Sequence, residues 1–138
     1  MKRAPLQHRS PLQAVPAVLQ RPRRTGPART VVNILRARDG GVCVVCGCSG
    51  SDVDPLVVHH RLNRGAGGSK NPAVHAPPRL LLVHASVNGW FEDNPAAAEW
   101  AGWKVRHGVV DPADVPVLYA DGRRYLLDGN GGRTAVPW

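Results

Sequence analysis

Apolar positions along this 138-residue chain come in short groups, punctuated by glycine and proline, and their spacing changes from group to group. Between Pro27 and Arg38, the residues Val31, Val32, Ile34 and Leu35 fall at helical spacing. That segment predicts an amphipathic helix, stopped by Asp39, Gly40 and Gly41. The valine-rich run from Val42 to Gly47 predicts a strand entering a cysteine knuckle. Val53 to His60 alternates loosely and predicts a second strand, ending on two adjacent histidines. Leu80 to Val83 is a further short apolar run, and Asn88 to Asp93 suits one or two helical turns. Asn94 before Pro95 is a good helix start, because proline at the first helical position needs no partner for an N–H. The helix that follows should end near Gly102. Val115 to Leu127 predicts a hairpin turning at Ala120, Asp121 and Gly122. Residues 61–78 break the pattern with glycine, proline and basic side chains. A loop of that length inside a small domain is more often functional than accidental.

These elements add up to one small α+β domain. The 15 glycines and 13 prolines predict many turns, and an aromatic share of 5% predicts a thin core. A core of that kind gains from a staple such as a metal site. No apolar run approaches the ~20 residues that span a bilayer, so no membrane association is expected. No apolar segment follows the basic start at Met1, Lys2 and Arg3, so no secretory signal is expected. The three cysteines all lie within residues 43–48, a poor disulfide framework. A reducing cytoplasm, with thiolates open to metal, fits better.

Charge changes the picture more than composition does. The net charge is +8, yet no acidic residue precedes Asp39. The chain therefore divides into a basic disordered arm over 1–28, a near-neutral domain over 29–128 and a flexible tail over 129–138. Inside the domain, Pro55 to Phe91 contains no acid and carries Arg61, Arg64, Lys70 and Arg79. A basic arm plus a basic patch is the footprint of a polyanion binder. A merely soluble basic protein would share the net charge, without a use for the patch.

Three features carry candidate chemistry. Cys43 and Cys46 have the spacing of a knuckle that offers two thiolates to one zinc ion, although a full site needs four ligands. The bland alternative is a pair of buried thiols in a valine-rich strand. His59 and His60 point to opposite faces of any regular strand. For both to serve one site, the strand must end or twist there; two ordinary surface histidines are the alternative. Asn88 and Glu92 share a helix face, where a cap and a solvated acid would be the plain reading.

Taken together, the order and spacing of several runs resemble a known family. They are RDGGVCVVCG over 38–47, VVHHR over 57–61, GAGGSK over 65–70, RLLLVH over 79–84 and NGWFE over 88–92. This pattern, from about Arg36 to Leu127, is similar to the HNH endonucleases, especially small HNH proteins of bacteriophages that infect actinobacteria. AGWKVR over 101–106 and DPADVPV over 111–117 extend the likeness. The resemblance implies a ββα-metal (His-Me finger) fold clamping one divalent cation, Mg²⁺, Mn²⁺, Ni²⁺ or Zn²⁺. It implies His59 as a metal ligand, His60 as the general base and Asn88 as the helix ligand. Glu92 would be a further ligand or hold a coordinated water. Double-stranded DNA would be the substrate, with Arg61, Arg64, Lys70 and Arg79 facing phosphates. A terminase is the partner suggested by the phage likeness. The chemistry is coherent, since a neutral imidazole with an ordinary pKa of about 6.5 takes a proton near neutral pH.

The chain departs from the pattern in two places. Arg79 stands where the family has the asparagine that orients the catalytic histidine, and arginine has no acceptor. Asn71 or a backbone carbonyl would have to replace it. Where relatives have a second cysteine pair, this chain has His84 and Val87. Cys43, Cys46 and His84 then give three zinc ligands, and Cys48 offers a fourth; the alternative is a metal-free knuckle packed by valines. Two other functions stay open on the residues: a DNA-binding module that keeps the scaffold without catalysis, and a zinc-knuckle interaction domain.

Overall fold

A computed structural model of the chain describes residues 25–63 and 71–137. Most of the predicted arm, together with Arg64 and Lys70, lies outside those residues. The described part is α+β, with three α-helices and two antiparallel sheets. None of its helices is long and apolar enough to cross a membrane.

The first sheet and one helix frame the site. Strand β1 (Leu56–His60) pairs with β2 (Leu80–His84), with His60 opposite Leu80 and Leu56 opposite His84. Helix α2 (Ala85–Asp93) follows β2 without a loop and packs on both strands. Every residue of β2 is buried, as expected of a strand covered on both faces. Leu81, Val83, Phe91, Cys43, Val44 and Val117 belong to one core cluster, closed by Tyr119, Tyr125 and Leu127.

A two-stranded sheet leaves the far edge of β2 unpaired, and buried backbone groups there need partners. Helix α1 (Arg29–Asp39) supplies them. Arg38 donates to the carbonyls of Leu80 at 2.7 Å and Pro77 at 2.8 Å. Asp39 accepts the N–H of Leu82 at 3.2 Å and the hydroxyl of Tyr119 at 2.8 Å. The two side chains also form a buried ion pair at 2.7 Å. The helix therefore buries Leu35, Arg38 and Asp39, and Ile34 is left at 36% exposure rather than in the core.

The predicted strand at Val42–Gly47 is a knuckle instead. Residues 44–46 form a turn, the N–H of Gly47 bonds the carbonyl of Cys43 at 2.8 Å, and Gly47 has φ 72°. The run of valines fits a strand by composition, but the turn lets Val44 donate to Leu82 at 2.9 Å and puts Cys43 in the core.

Arg61 overturns its expected role at a phosphate. It is fully buried, and its guanidinium donates to the carbonyls of Gly102, Pro78, Pro112 and Val115 at 2.7–2.8 Å. These carbonyls lie in irregular, proline-rich segments that cannot pair in a ladder. The five-donor fork of arginine suits that task. Burial, then the charge of Arg38, lowers its pKa to about 10, so it stays charged at neutral pH.

Helix α3 (Pro95–Trp100) starts at proline as predicted and is followed by Gly102 at φ 74°. A β-carbon at Gly102 would lie 2.0 Å from the carbonyl oxygen of Pro116, so only glycine fits. The hairpin is present as β3 (Val117–Leu118) and β4 (Arg124–Leu127). The supposed flexible tail is a third strand, β5 (Arg133–Val136), paired with β4 along its length. Arg133 stacks over both Tyr119 and Tyr125 at 4.6 Å, and Gly131 lies against Ile34 of α1.

Candidate functional site

The β1–β2 sheet gathers candidate functional side chains at both ends. At the C-terminal end of β1 lies an open cleft of about 190 Å³, lined by Val58, His59, His60, Asn63, Asn88, Glu92 and Lys104. His59 and His60 both line it because β1 stops at His60.

His59 is held tightly. It is 4% exposed, with its ring 4.7 Å from that of Phe91. Trp103 stacks on Phe91 at 5.5 Å and anchors its indole N–H to the carbonyl of Leu118 at 2.8 Å. The backbone carbonyl of Trp103 lies 2.8 Å from Nε2 of His59, so that nitrogen carries a proton. Nδ1 lies 2.7 Å from Oδ1 of Asn88, which stands on α2. Two acceptors at that distance repel unless a positive centre lies between them. A second ring proton would serve, but burial lowers the pKa of His59 against the pull of its two hydrogen bonds. A rotated Asn88 amide, donating its N–H, also satisfies the pair. The third solution is a cation, which the imidazole lone pair and amide oxygen suit as ligands. Hydrogen bonding of the far nitrogen to a carbonyl is the usual way a ligand histidine is oriented.

His60, one residue on, has Nε2 3.0 Å from Nδ1 of His75. Glu92 is exposed and pairs with Lys104 at 3.0 Å, which brings an ammonium to the cleft's rim. Sequence reasoning missed Lys104 and His75. Lys104 had one signal, its place inside AGWKVR; His75 had none. Arg79 is half-buried, and its carbonyl accepts the N–H of Arg61 at 2.8 Å.

At the C-terminal end of β2, the ligand atoms of Cys43, Cys46 and His84 lie within 4.8 Å of one another, a group that could hold a metal ion. Nδ1 of His84 bonds the carbonyl of Asp54 at 3.0 Å, which leaves Nε2 as the lone-pair nitrogen. Burial raises the pKa of Cys43, while backbone N–H groups of Cys46, His84 and Val45 favour the thiolate. Cys48 stands outside this group and turns its thiol to the carbonyl of Cys46 at 3.6 Å. Val87 is packed against the core, where it offers no ligand.

No protein-family model, no curated protein and no solved structure matches this chain.

Proposed function

We propose that this chain is a metal-dependent HNH-type endonuclease with a ββα-metal fold that hydrolyses DNA phosphodiester bonds. One observation carries the reading. A strand ends on His59 and His60 beside Asn88 of the helix that follows its partner strand, and His59 meets Asn88 at 2.7 Å on an open cleft. In this reading His59 and Asn88 hold one divalent cation. When bound, the cation neutralises charge growing on the phosphoryl oxygens and the departing 3′ oxygen.

The remaining work falls to side chains. His60 takes a proton from water on an imidazole nitrogen. The water oxygen joins phosphorus as the bond to the 3′ oxygen breaks, and the 3′ oxygen leaves with a proton from solvent. Lys104 sits where an anionic phosphate would approach, and Glu92 holds it there. Arg64, Lys70 and Arg79 are the remaining candidates for duplex phosphates, and Arg61 leaves that set. Cys43, Cys46 and His84 hold a structural zinc that pins the knuckle to β2. Work on phage DNA beside a terminase, in a bacterial cytoplasm, rests on the family resemblance alone.

The test is nicking of supercoiled plasmid by the purified chain with Mg²⁺, Mn²⁺ or Ni²⁺. The reading predicts cleavage that depends on added ion and stops with chelator. Salt-sensitive DNA binding with no cutting in any ion would instead favour a DNA-binding module on the same scaffold, an outcome for which Arg79 in the asparagine position is the motive.

A further inference from the structure

Two imidazoles meet on the loop side of the cleft. Nε2 of His60 lies 3.0 Å from Nδ1 of His75, and the rings stand edge to face with centroids 5.2 Å apart. His75 is not adrift on its loop. It closes a 3-10 turn, Pro72–His75, which starts with proline and is capped by Asn71 accepting the N–H of Ala73 at 3.0 Å. Two and three residues further on, the carbonyls of Pro77 and Pro78 are gripped by Arg38 and Arg61. The buried guanidiniums thus fix the segment that presents His75.

A neutral imidazole has one N–H and one lone pair, and a general base must present the lone pair to water. A hydrogen bond at one ring nitrogen favours one of the two tautomers, and only one is competent. We propose that His75 is the positioning residue for His60. It accepts the Nε2–H of His60 on its own Nδ1, and so leaves the basic lone pair of His60 on Nδ1 and fixes the plane of the ring. The loop thereby supplies through an imidazole the orientation that Arg79 cannot give. This inference rests on the nuclease reading for its consequence, but not for its geometry.

The experiment uses the full chain, labelled with ¹⁵N-histidine, with the knuckle zinc in place and no other divalent ion added, at pH 8. Wild type, His75→Asn and His75→Phe are compared by long-range ¹H–¹⁵N spectra of His60, and by kcat and KM for plasmid nicking after adding divalent ion. Asparagine keeps an acceptor near the place of Nδ1, so it also guards against a phenylalanine variant that fails to fold. His60 should show one tautomer, protonated on Nε2, in wild type and His75→Asn, and a shifted tautomer population in His75→Phe. kcat should fall about tenfold in His75→Phe with KM unchanged, and recover with asparagine. Unchanged His60 nitrogens in His75→Phe would overturn the proposal, whatever the cleavage rate. So would a Zn²⁺ titration that shifts His60 and His75 together before His59, since the two rings would then be a ligand pair. A wild type that cuts nothing, yet shifts its tautomer population in His75→Phe, would remove the nuclease reading and uphold the role of His75 in setting the ring.

Discussion

The two ends of one short sheet offer nitrogen, oxygen and sulfur ligands in opposite settings. Around Cys43, Cys46 and His84, two of the three ligands are buried, and backbone N–H groups and a backbone carbonyl orient them. Around His59, His60 and Asn88, the His59–Asn88 pair is buried on one side and opens to solvent on the other, with a lysine and a glutamate at its rim. Structural metal sites are closed by protein ligands, while catalytic ones keep a position open. On the proposed reading, the contrast gives the knuckle to stability and the cleft to chemistry. The two sites stand one strand length apart, roughly 13 Å over five residues. Neither needs the other's ligands, so each can be broken separately.

The largest effect should come from the frame behind the cleft. Arg61→Met leaves the carbonyls of Gly102, Pro78 and Val115 without their donor, at about 1–3 kcal/mol each. That sum rivals the whole stability of a small domain, about 5–15 kcal/mol. Loss of a cooperative melt by circular dichroism is the expected result, and a native-like melt would show that the carbonyls find other partners.

Next in size is the knuckle. Cys43→Ser should lose a tightly held zinc equivalent and about 10 °C of melting temperature. Cys48→Ser should lose neither, and His59→Ala should keep the zinc. Metal analysis beside thermal melts checks all three, and zinc lost with His59 rather than Cys43 would reverse the assignment of the two ends.

A smaller effect belongs to the arm. Deleting residues 1–28 should weaken duplex binding about tenfold at 0.1 M salt and flatten its salt dependence. Cation binding at both ends of the sheet should be unchanged by isothermal titration.

The smallest effect is a pH dependence at the cleft. Burial lowers the folded pKa of His59 below its ordinary value, so the unfolded chain binds the extra proton first as pH falls. Stability from this group is therefore full above about pH 6.5 and declines as pH drops below it. Asp54 and Asp121 are held low by hydrogen bonds from Ser86 and Tyr125, so their stabilisation is lost only below their ordinary value near 3.8. With no divalent ion added beyond the knuckle zinc, His59→Gln should flatten the denaturant-melt profile between pH 6.5 and 5 and leave the lower limb in place. An unchanged upper limb would argue against a buried, neutral His59.

Much of this was legible in the residues. The strand ending on His60 followed from its alternation, Leu80–Val83 stood out only as an apolar run, and the pairing of the two before a helix was implied by the family resemblance alone; His59, His60 and Asn88 do share a cleft. Arg61 was not legible, because a charge count cannot tell whether a guanidinium faces phosphate or fills a hole among proline carbonyls. The knuckle read as a strand because valine favours strands, while the turn is set by Gly47 and the contact with Leu82. The last strand hid in a short polar run whose pairing depends on β4 and on Arg133 over two tyrosines. His75 and Lys104 reach the site from distant segments, a proximity that local spacing does not encode.

The central claim is that the His59–His60 end performs the chemistry while the knuckle only supports it. Its most direct test is the plasmid-nicking rate of His60→Ala beside wild type, at equal DNA occupancy and with the knuckle zinc intact. The account predicts a loss of at least about 100-fold with binding preserved. A His60→Ala protein that nicks at the wild-type rate would contradict it.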